Sequence, residues 1–233
     1  MQAQKDRARA ARGNTEGDAW KEDPLTSLED ASSSFDGYHN LVKASTIKAM
    51  VADNALVDTL EEGIEAAIIL DETSFYPNGG GQVGDKGQIL SDTGLFEVED
   101  TVKGANGSIK HIGRLVSGSL TKGERVETRV DKALRMDAAR NHTATHLLHK
   151  ALKEVLGDHV NQAGSLVEPD RLRFDITHFE AMTKEEISKV EAMVNEFILE
   201  AHPVTAELMN INEARAMGAM ALFGEKYGEE VRV

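Results

Sequence analysis

The sequence contains no cysteine. Disulfides are therefore excluded, and neither a thiolate nucleophile nor a thiolate metal ligand can come from this chain, so any metal must be held by His, Asp or Glu. Long apolar runs are missing too. No window approaches the roughly 18 to 20 apolar residues of a membrane span. The charged start from Met1 to Arg12 has no apolar stretch behind it of the kind a signal peptide needs. A cytoplasmic chain without a membrane partner is expected. Basic charge is scarce: 26 Lys plus Arg stand against 40 Asp plus Glu, a formal net charge of -14. Neutralising phosphates needs a basic surface, so strong independent binding of a nucleic acid is disfavoured. An acidic domain can still act on the end of an RNA that another part of a larger protein holds.

The 233 residues suffice for one large domain or two small ones, and the patterning favours two. Residues 2–12 are Ala, Arg, Lys and Gln of high helix propensity, whereas the polar stretch from Gly13 to Ser34 is broken by Gly13, Gly17 and Pro24. Residues 1–40 are thus read as a helix end and linker, with Trp20 pinning it and Ser32 to Ser34 a solvated connection. Over 41–130 short β-type segments take over: Ile64 to Leu70, Gly87 to Leu90, Leu95 to Val102, Ile109 to Leu115 and Arg125 to Val130. Turn signals such as Asn78-Gly79, Asn106-Gly107 and Lys122-Gly123 separate them, which favours a small barrel or strongly bent sheet.

Over 131–233 the period becomes helical. Asp131 is a plausible N-cap, Leu148, Ala151, Leu152 and Val155 recur at helix spacing, and Gly157 offers a stop. Thr183-Lys184-Glu185-Glu186 has the form of a capping box, opening a second helix that ends before Pro203. Ser165 to Val167 and Arg171 to Ile176 read as strands between the helices. The fold class is therefore α+β, a small β-barrel followed by an α+β domain. No internal repeat is visible. Stopping at Val231-Arg232-Val233, within a β-type segment, is what a truncated chain is expected to do.

Three segments carry chemistry. In Asn141-His142-Thr143-Ala144-Thr145-His146 the two histidines lie one helical turn apart, so both imidazoles can converge on one ion. His149 falls near the same face at ~100° per residue, away from the apolar stripe. For an arbitrary pair of this spacing, surface or interdomain histidines are the commoner reading, and no Glu follows the first His, so the metalloprotease pattern is absent. The glycine run in Thr73-Ser74-Phe75-Tyr76-Pro77-Asn78-Gly79-Gly80-Gly81-Gln82-Val83-Gly84-Asp85 lets backbone approach a ligand closely, or is simply a hairpin. It lacks the Gly-Lys-Ser/Thr of a P-loop and the following helix of a dinucleotide fingerprint. Asn161-Gln162-Ala163-Gly164-Ser165-Leu166-Val167 enters a strand after the histidine helix, where Gln162 can come near the pair. His111, His159, His178 and His202 are isolated and read as non-catalytic.

Together these blocks resemble the alanyl-tRNA synthetases. The likeness rests on Leu70 to Pro77, Gly80 to Gly87, Asn141 to Leu148, Gly164 to Val167 and Gly218 to Tyr227, and runs from about residue 35 to the end. It implies a β-barrel followed by the α+β editing domain shared with threonyl-tRNA synthetases, with a deacylation site in the cleft between them. It also implies Zn2+ on His142 and His146. Two further ligands are expected beyond residue 233, in a Cys-Gly-Gly-Thr-His segment absent from this sequence. The implied reaction is hydrolysis of Ser-tRNA(Ala) and Gly-tRNA(Ala). The implied partners are the acceptor end of tRNA(Ala) and the remainder of the synthetase, where ATP and alanine would bind.

In that scheme Thr73, Thr145 or Gln162 would contact the serine hydroxyl. Gln82 and the glycine-loop N–H groups would steady the oxyanion or the terminal ribose. Freestanding alanyl editing proteins share the glycine and histidine motifs and are the nearest alternative. A non-catalytic acceptor-end binding module, or a zinc hydrolase of an unrelated small ester, would use the same residues.

Overall fold

The computed structural model describes residues 24–28, 30–219 and 228–233. The helix expected over residues 2–12, Trp20, and residues 220–227 of the last resemblance block lie outside them. The chain divides into two units, Met1–Tyr76 with Gly87–Arg129, and Pro77–Lys86 with Val130–Val233.

The first unit is built on strands β1 (Ser34–Phe35), β2 (Val42–Ala52), β3 (Ala55–Val57), β4 (Thr59–Glu61), β5 (Glu65–Leu70), β6 (Glu72–Thr73), β7 (Gly87–Leu90), β8 (Gly94–Lys103), β9 (Ile109–Thr121) and β10 (Arg125–Val130). The long ones alternate buried and exposed side chains, as a sheet with one wet face requires: Phe96 and Val98 on β8 are buried while Glu97 and Glu99 between and beyond them are exposed. Strands run in the order β10, β7, β8, β9, β5, β2, and β2 pairs back onto β10, so six strands close into a barrel with no open edge. Gly118 on β9 sits at φ +76°, where its bare Cα lies against the Thr93 carbonyl, and a side chain would fit neither the angle nor the space.

Two sequence expectations change here. β2 is missing from the expected strands although it closes the barrel; its run Val-Lys-Ala-Ser-Thr-Ile-Lys-Ala-Met-Val-Ala mixes good helix formers with β-branched residues, so propensity decides nothing. The Ser32 to Ser34 run is not a free solvated connection. Ser34–Phe35 pairs in parallel with Glu72–Thr73, the Ser33 hydroxyl donates to the Leu70 carbonyl at 2.7 Å, and Leu25 and Ala31 are buried against Ala49 and Ile69. Burying those two apolar residues and using those hydroxyls outweighs the segment's polar composition.

The second unit holds α1 (Lys132–Leu156), β11 (Gln162–Val167), β12 (Leu172–Ile176), α2 (Lys184–Glu200), β13 (Leu208–Asn210), α3 (Ile211–Ala216) and β14 (Glu230–Arg232). β11 and β12 form an antiparallel hairpin, and β13 pairs with β14. Ala151 and Leu152 of α1 share a core with Val160 and Val190, flanked by Phe174 and Val194. Thr183 caps α2 by accepting from Glu186 N–H, while the Glu186 carboxylate accepts from Thr183 N–H at 2.8 Å, the reciprocal pair its sequence announces. Thr183→Ala is expected to lower the stability of this unit by about 1 kcal/mol in urea unfolding, whereas Thr183→Ser should leave it nearly unchanged.

Candidate functional site

The site is assembled on α1 and on the segment Pro77–Lys86, both within the second unit. The helix start is fixed by Asp131, whose carboxylate accepts from Ala133 N–H and Leu134 N–H at 2.9 and 3.1 Å. One turn on, Arg135 is buried, and its Nε lies 2.9 and 2.8 Å from the two Asp85 carboxylate oxygens, with Nη2 also donating to Oδ2. This ion pair ties the end of the glycine-rich segment to the helix.

Within that segment Gly80 and Gly81 take φ of +58° and +81°, and Gly79 and Gln82 exchange two backbone hydrogen bonds of 3.0 Å. Two residues at positive φ between a bridged pair form a tight hairpin turn, which is what the glycines supply. Gly81 also lies so close to Ser165 that a Cβ would come within 2.8 Å of that side chain. Backbone bonds from Val83 N–H to Val167 O at 3.1 Å and from Val167 N–H to Gly81 O at 2.8 Å bind the turn to β11. With the N–H groups of Gly79, Gln82 and Val83 committed, those of Gly80 and Gly81 are the ones the turn can offer a ligand.

Behind the turn, Gln82 is buried and its Oε1 lies 2.8 Å from His142 Nδ1. An amide oxygen only accepts, so Nδ1 carries a proton, and it is Nε2 that the neutral ring would turn toward a ligand. His146, one turn further, stacks on His142 with ring centroids 5.4 Å apart and planes 9° off parallel. Burial pushes the His146 pKa down and favours the neutral ring. Two imidazoles a turn apart, one with its Nδ1 proton held by a buried amide oxygen, fit the donor chemistry of zinc. No set of three or more His, Cys, Asp or Glu placed to hold a metal occurs among the described residues, so this pair can supply only part of a coordination sphere.

His142, His146, Thr145, His149, Gln162 and Ser165 line one small pocket, with Gly80 and Phe174 completing its wall. Four of the sequence-derived site residues, His142, His146, Thr145 and Gln162, are thus brought together, and Gln82 joins them through its bond to His142. The Thr145 hydroxyl donates to the Asn141 carbonyl at 2.8 Å, so toward the pocket it can only accept. Asn141 in turn donates to the carbonyls of Glu168 and Pro169 at 2.8 and 3.2 Å, anchoring the helix to the β11–β12 turn.

Thr73 is not among the lining residues. It belongs to the barrel unit, is fully buried, and its Oγ1 lies 2.7 Å from His111 Nε2 while accepting from Phe75 N–H at 3.1 Å. His149 and Ser165 line the pocket without having been singled out as site residues. The signal for His149 was its position two turns after His142, on the same helix face. Burial chiefly lowers its pKa, and a hydrogen bond to the Val160 carbonyl opposes the shift only in part. Ser165 stands in the Asn161 to Val167 segment, where nothing in the sequence sets the serine itself apart from its neighbours.

The family model described as tRNA synthetases class II (A) matches residues 1–134. Over its whole length the chain is 58% identical to an alanine–tRNA ligase of Clostridioides difficile (strain 630), covering 27% of that protein. It is 51% identical to one of Geobacillus kaustophilus (strain HTA426), covering 26%, and 47% identical to one of Alkaliphilus oremlandii (strain OhILAs), covering 27%. The chain thus spans about a quarter of the length of these curated relatives.

Proposed function

Because the chain belongs to the class II (A) tRNA synthetase family, we propose that it carries the hydrolytic editing region of an alanyl-tRNA synthetase and removes serine and glycine from tRNA(Ala). The observation that carries this reading is the convergence of the glycine turn, the buried Gln82–His142 bond and Gln162 on one pocket. A site that makes alanyl-tRNA cannot exclude glycine, which is smaller, and discriminates weakly against one added hydroxyl, so a second, hydrolytic site is useful.

In this reading the scissile group is the ester between the aminoacyl carbonyl and the terminal ribose. Water adds to the carbonyl carbon, charge develops on the carbonyl oxygen, and the C–O bond to the ribose breaks with a proton delivered to the ribose oxygen. The Gly80 and Gly81 N–H groups are suited to receive the developing oxyanion. His142 and His146 would hold zinc together with ligands from outside the described residues. Once bound there, the metal supplies Lewis acidity at the ester carbonyl. Gln82 orients His142 by accepting its Nδ1–H, the outer-sphere role that fixes tautomer and ring angle. The acidic charge of -14 fits a region that relies on the rest of the synthetase to hold the tRNA.

The test is deacylation of seryl-tRNA(Ala) and alanyl-tRNA(Ala) by a complete synthetase carrying this sequence, with zinc content measured in parallel. Serine is expected to be released far faster than alanine. Gln82→Leu should weaken zinc binding by about 10- to 100-fold and slow deacylation with it. No release of serine by a folded, zinc-loaded enzyme would turn the reading into one of acceptor-end binding without catalysis.

A further inference from the structure

The pocket contains two polar atoms that the fold leaves without a partner. His149 is 7% exposed, yet its Nε2 meets no hydrogen-bonding group among the described residues, and the Oγ of the half-buried Ser165, itself shielded from solvent, meets none there either. Both residues line the pocket beside His142 and His146. A buried polar atom left unpaired destabilises a fold by about 1 to 3 kcal/mol. Two of them in one small cavity call for a ligand group that completes both.

Their chemistry defines that group. The Val160 carbonyl accepts from the His149 ring, which with Nε2 unpartnered leaves Nδ1 as the donor and Nε2 as an acceptor. The Ser165 hydroxyl can donate or accept. One hydroxyl, donating to His149 Nε2 and accepting from Ser165 Oγ–H, would satisfy both. Room is limited to the same degree: the pocket offers about 10 Å³ to a water-sized sphere, close to what a single water needs. Thr145 cannot replace Ser165 as donor, since its proton goes to the Asn141 carbonyl.

We propose that His149 Nε2 and Ser165 Oγ form a hydroxyl-sized socket that reads the side chain of the aminoacyl group to be hydrolysed. The inference rests on the editing reading above and adds its specificity residues. Serine places its own hydroxyl in the socket. Glycine brings no side chain and leaves room for one water making the same two bonds. Alanine inserts a methyl group, which displaces that water, bonds to neither atom and leaves both unpaired. Rejection of alanine is thus a desolvation effect rather than a steric one, which is how a site can accept a smaller and a larger residue while refusing the one between them.

The experiment uses stable amide analogues of the tRNA end, 3′-seryl-, 3′-glycyl- and 3′-alanylamido-3′-deoxyadenosine, titrated calorimetrically into the 233-residue chain. The wild-type chain is expected to bind the seryl analogue at least about tenfold more tightly than the alanyl one. His149→Leu should bring the two within about twofold of each other, through loss of seryl and gain of alanyl affinity. Ser165→Ala, a change too small to threaten folding, should narrow the gap by about threefold and carries the test if His149→Leu does not fold. The imidazole nitrogen signals of His149 should move on adding the seryl analogue. A wild-type seryl preference in both variants overturns the socket and leaves the editing reading standing. Failure of the wild-type chain to bind any of the three overturns the socket, and the editing reading is then judged separately by seryl-tRNA cleavage in the complete synthetase.

Discussion

Arg135→Met is expected to destabilise the second unit by about 3 to 5 kcal/mol, measured as a lowered urea midpoint followed by circular dichroism. The Arg135 and Asp85 side chains are only 8% and 4% exposed. Removing the guanidinium takes the Arg135 charge away from a carboxylate that the fold keeps buried. Asp85→Leu should destabilise by a similar amount for the mirror-image reason. The double variant separates charge pairing from packing. With both charges gone, no unpaired ion remains, and most of the lost stability should return, as it does when buried pairs elsewhere are replaced by apolar residues of like volume. The site should register the single changes too. Asp85 lies three residues from Gln82, so releasing it frees the segment that carries the His142 hydrogen-bond partner. Single variants that lose less than about 1 kcal/mol would mean that water reaches the pair.

How much of this could be read from the chain follows from the range of each interaction. Asp131, Gly157 and the Thr183–Glu186 box announce the ends of α1 and α2, because a cap is completed within a few residues of itself. The histidine pair is legible for the same reason, being one turn apart. What escapes is long-range. Gln82 meets His142 across 60 positions and Asp85 meets Arg135 across 50, and neither polar residue advertises its partner. β2 escapes because its assignment depends on pairing with β5 and β10 on its two sides rather than on its own composition. Thr73 shows the converse. Its block resembles a family segment bordering the ligand, but where its hydroxyl proton goes is decided by His111, which looks isolated in sequence.

That buried histidine makes the barrel sensitive to pH. His111 Nδ1 lies 2.8 Å from the Ile68 carbonyl and therefore carries the proton, so Nε2 accepts the Thr73 O–H at 2.7 Å, and the ring stands edge-on to Phe75 at 5.1 Å. Full burial pushes its pKa from 6.5 down to about 4, the bond to Ile68 opposing this only partly. Above pH 6.5 the ring is neutral whether the barrel is folded or not, and this histidine contributes no pH dependence. Below 6.5 the unfolded chain takes up a proton that the folded barrel refuses until about pH 4, so stability falls as pH falls through that window. Each pH unit there is worth about 1.4 kcal/mol, and the whole window about 3 kcal/mol. The carboxylates Asp30, Asp36 and Glu124 are depressed in the same sense and likewise lose stability on acidification, but in a lower window that opens near their unfolded values of 3.8 and 4.5. Between pH 6.5 and 5 the barrel's response therefore belongs to His111. Urea unfolding of the wild-type chain should weaken across that interval, and His111→Asn, less stable at pH 7 through lost packing, should weaken less steeply by about 1.4 kcal/mol per pH unit. His146 and His149, also depressed by burial, remain in both proteins and cancel in the comparison. Parallel slopes for the two chains would show that the folded barrel protonates His111 as readily as the unfolded chain does, and the buried Thr73–His111 bond could not then be what fixes the ring.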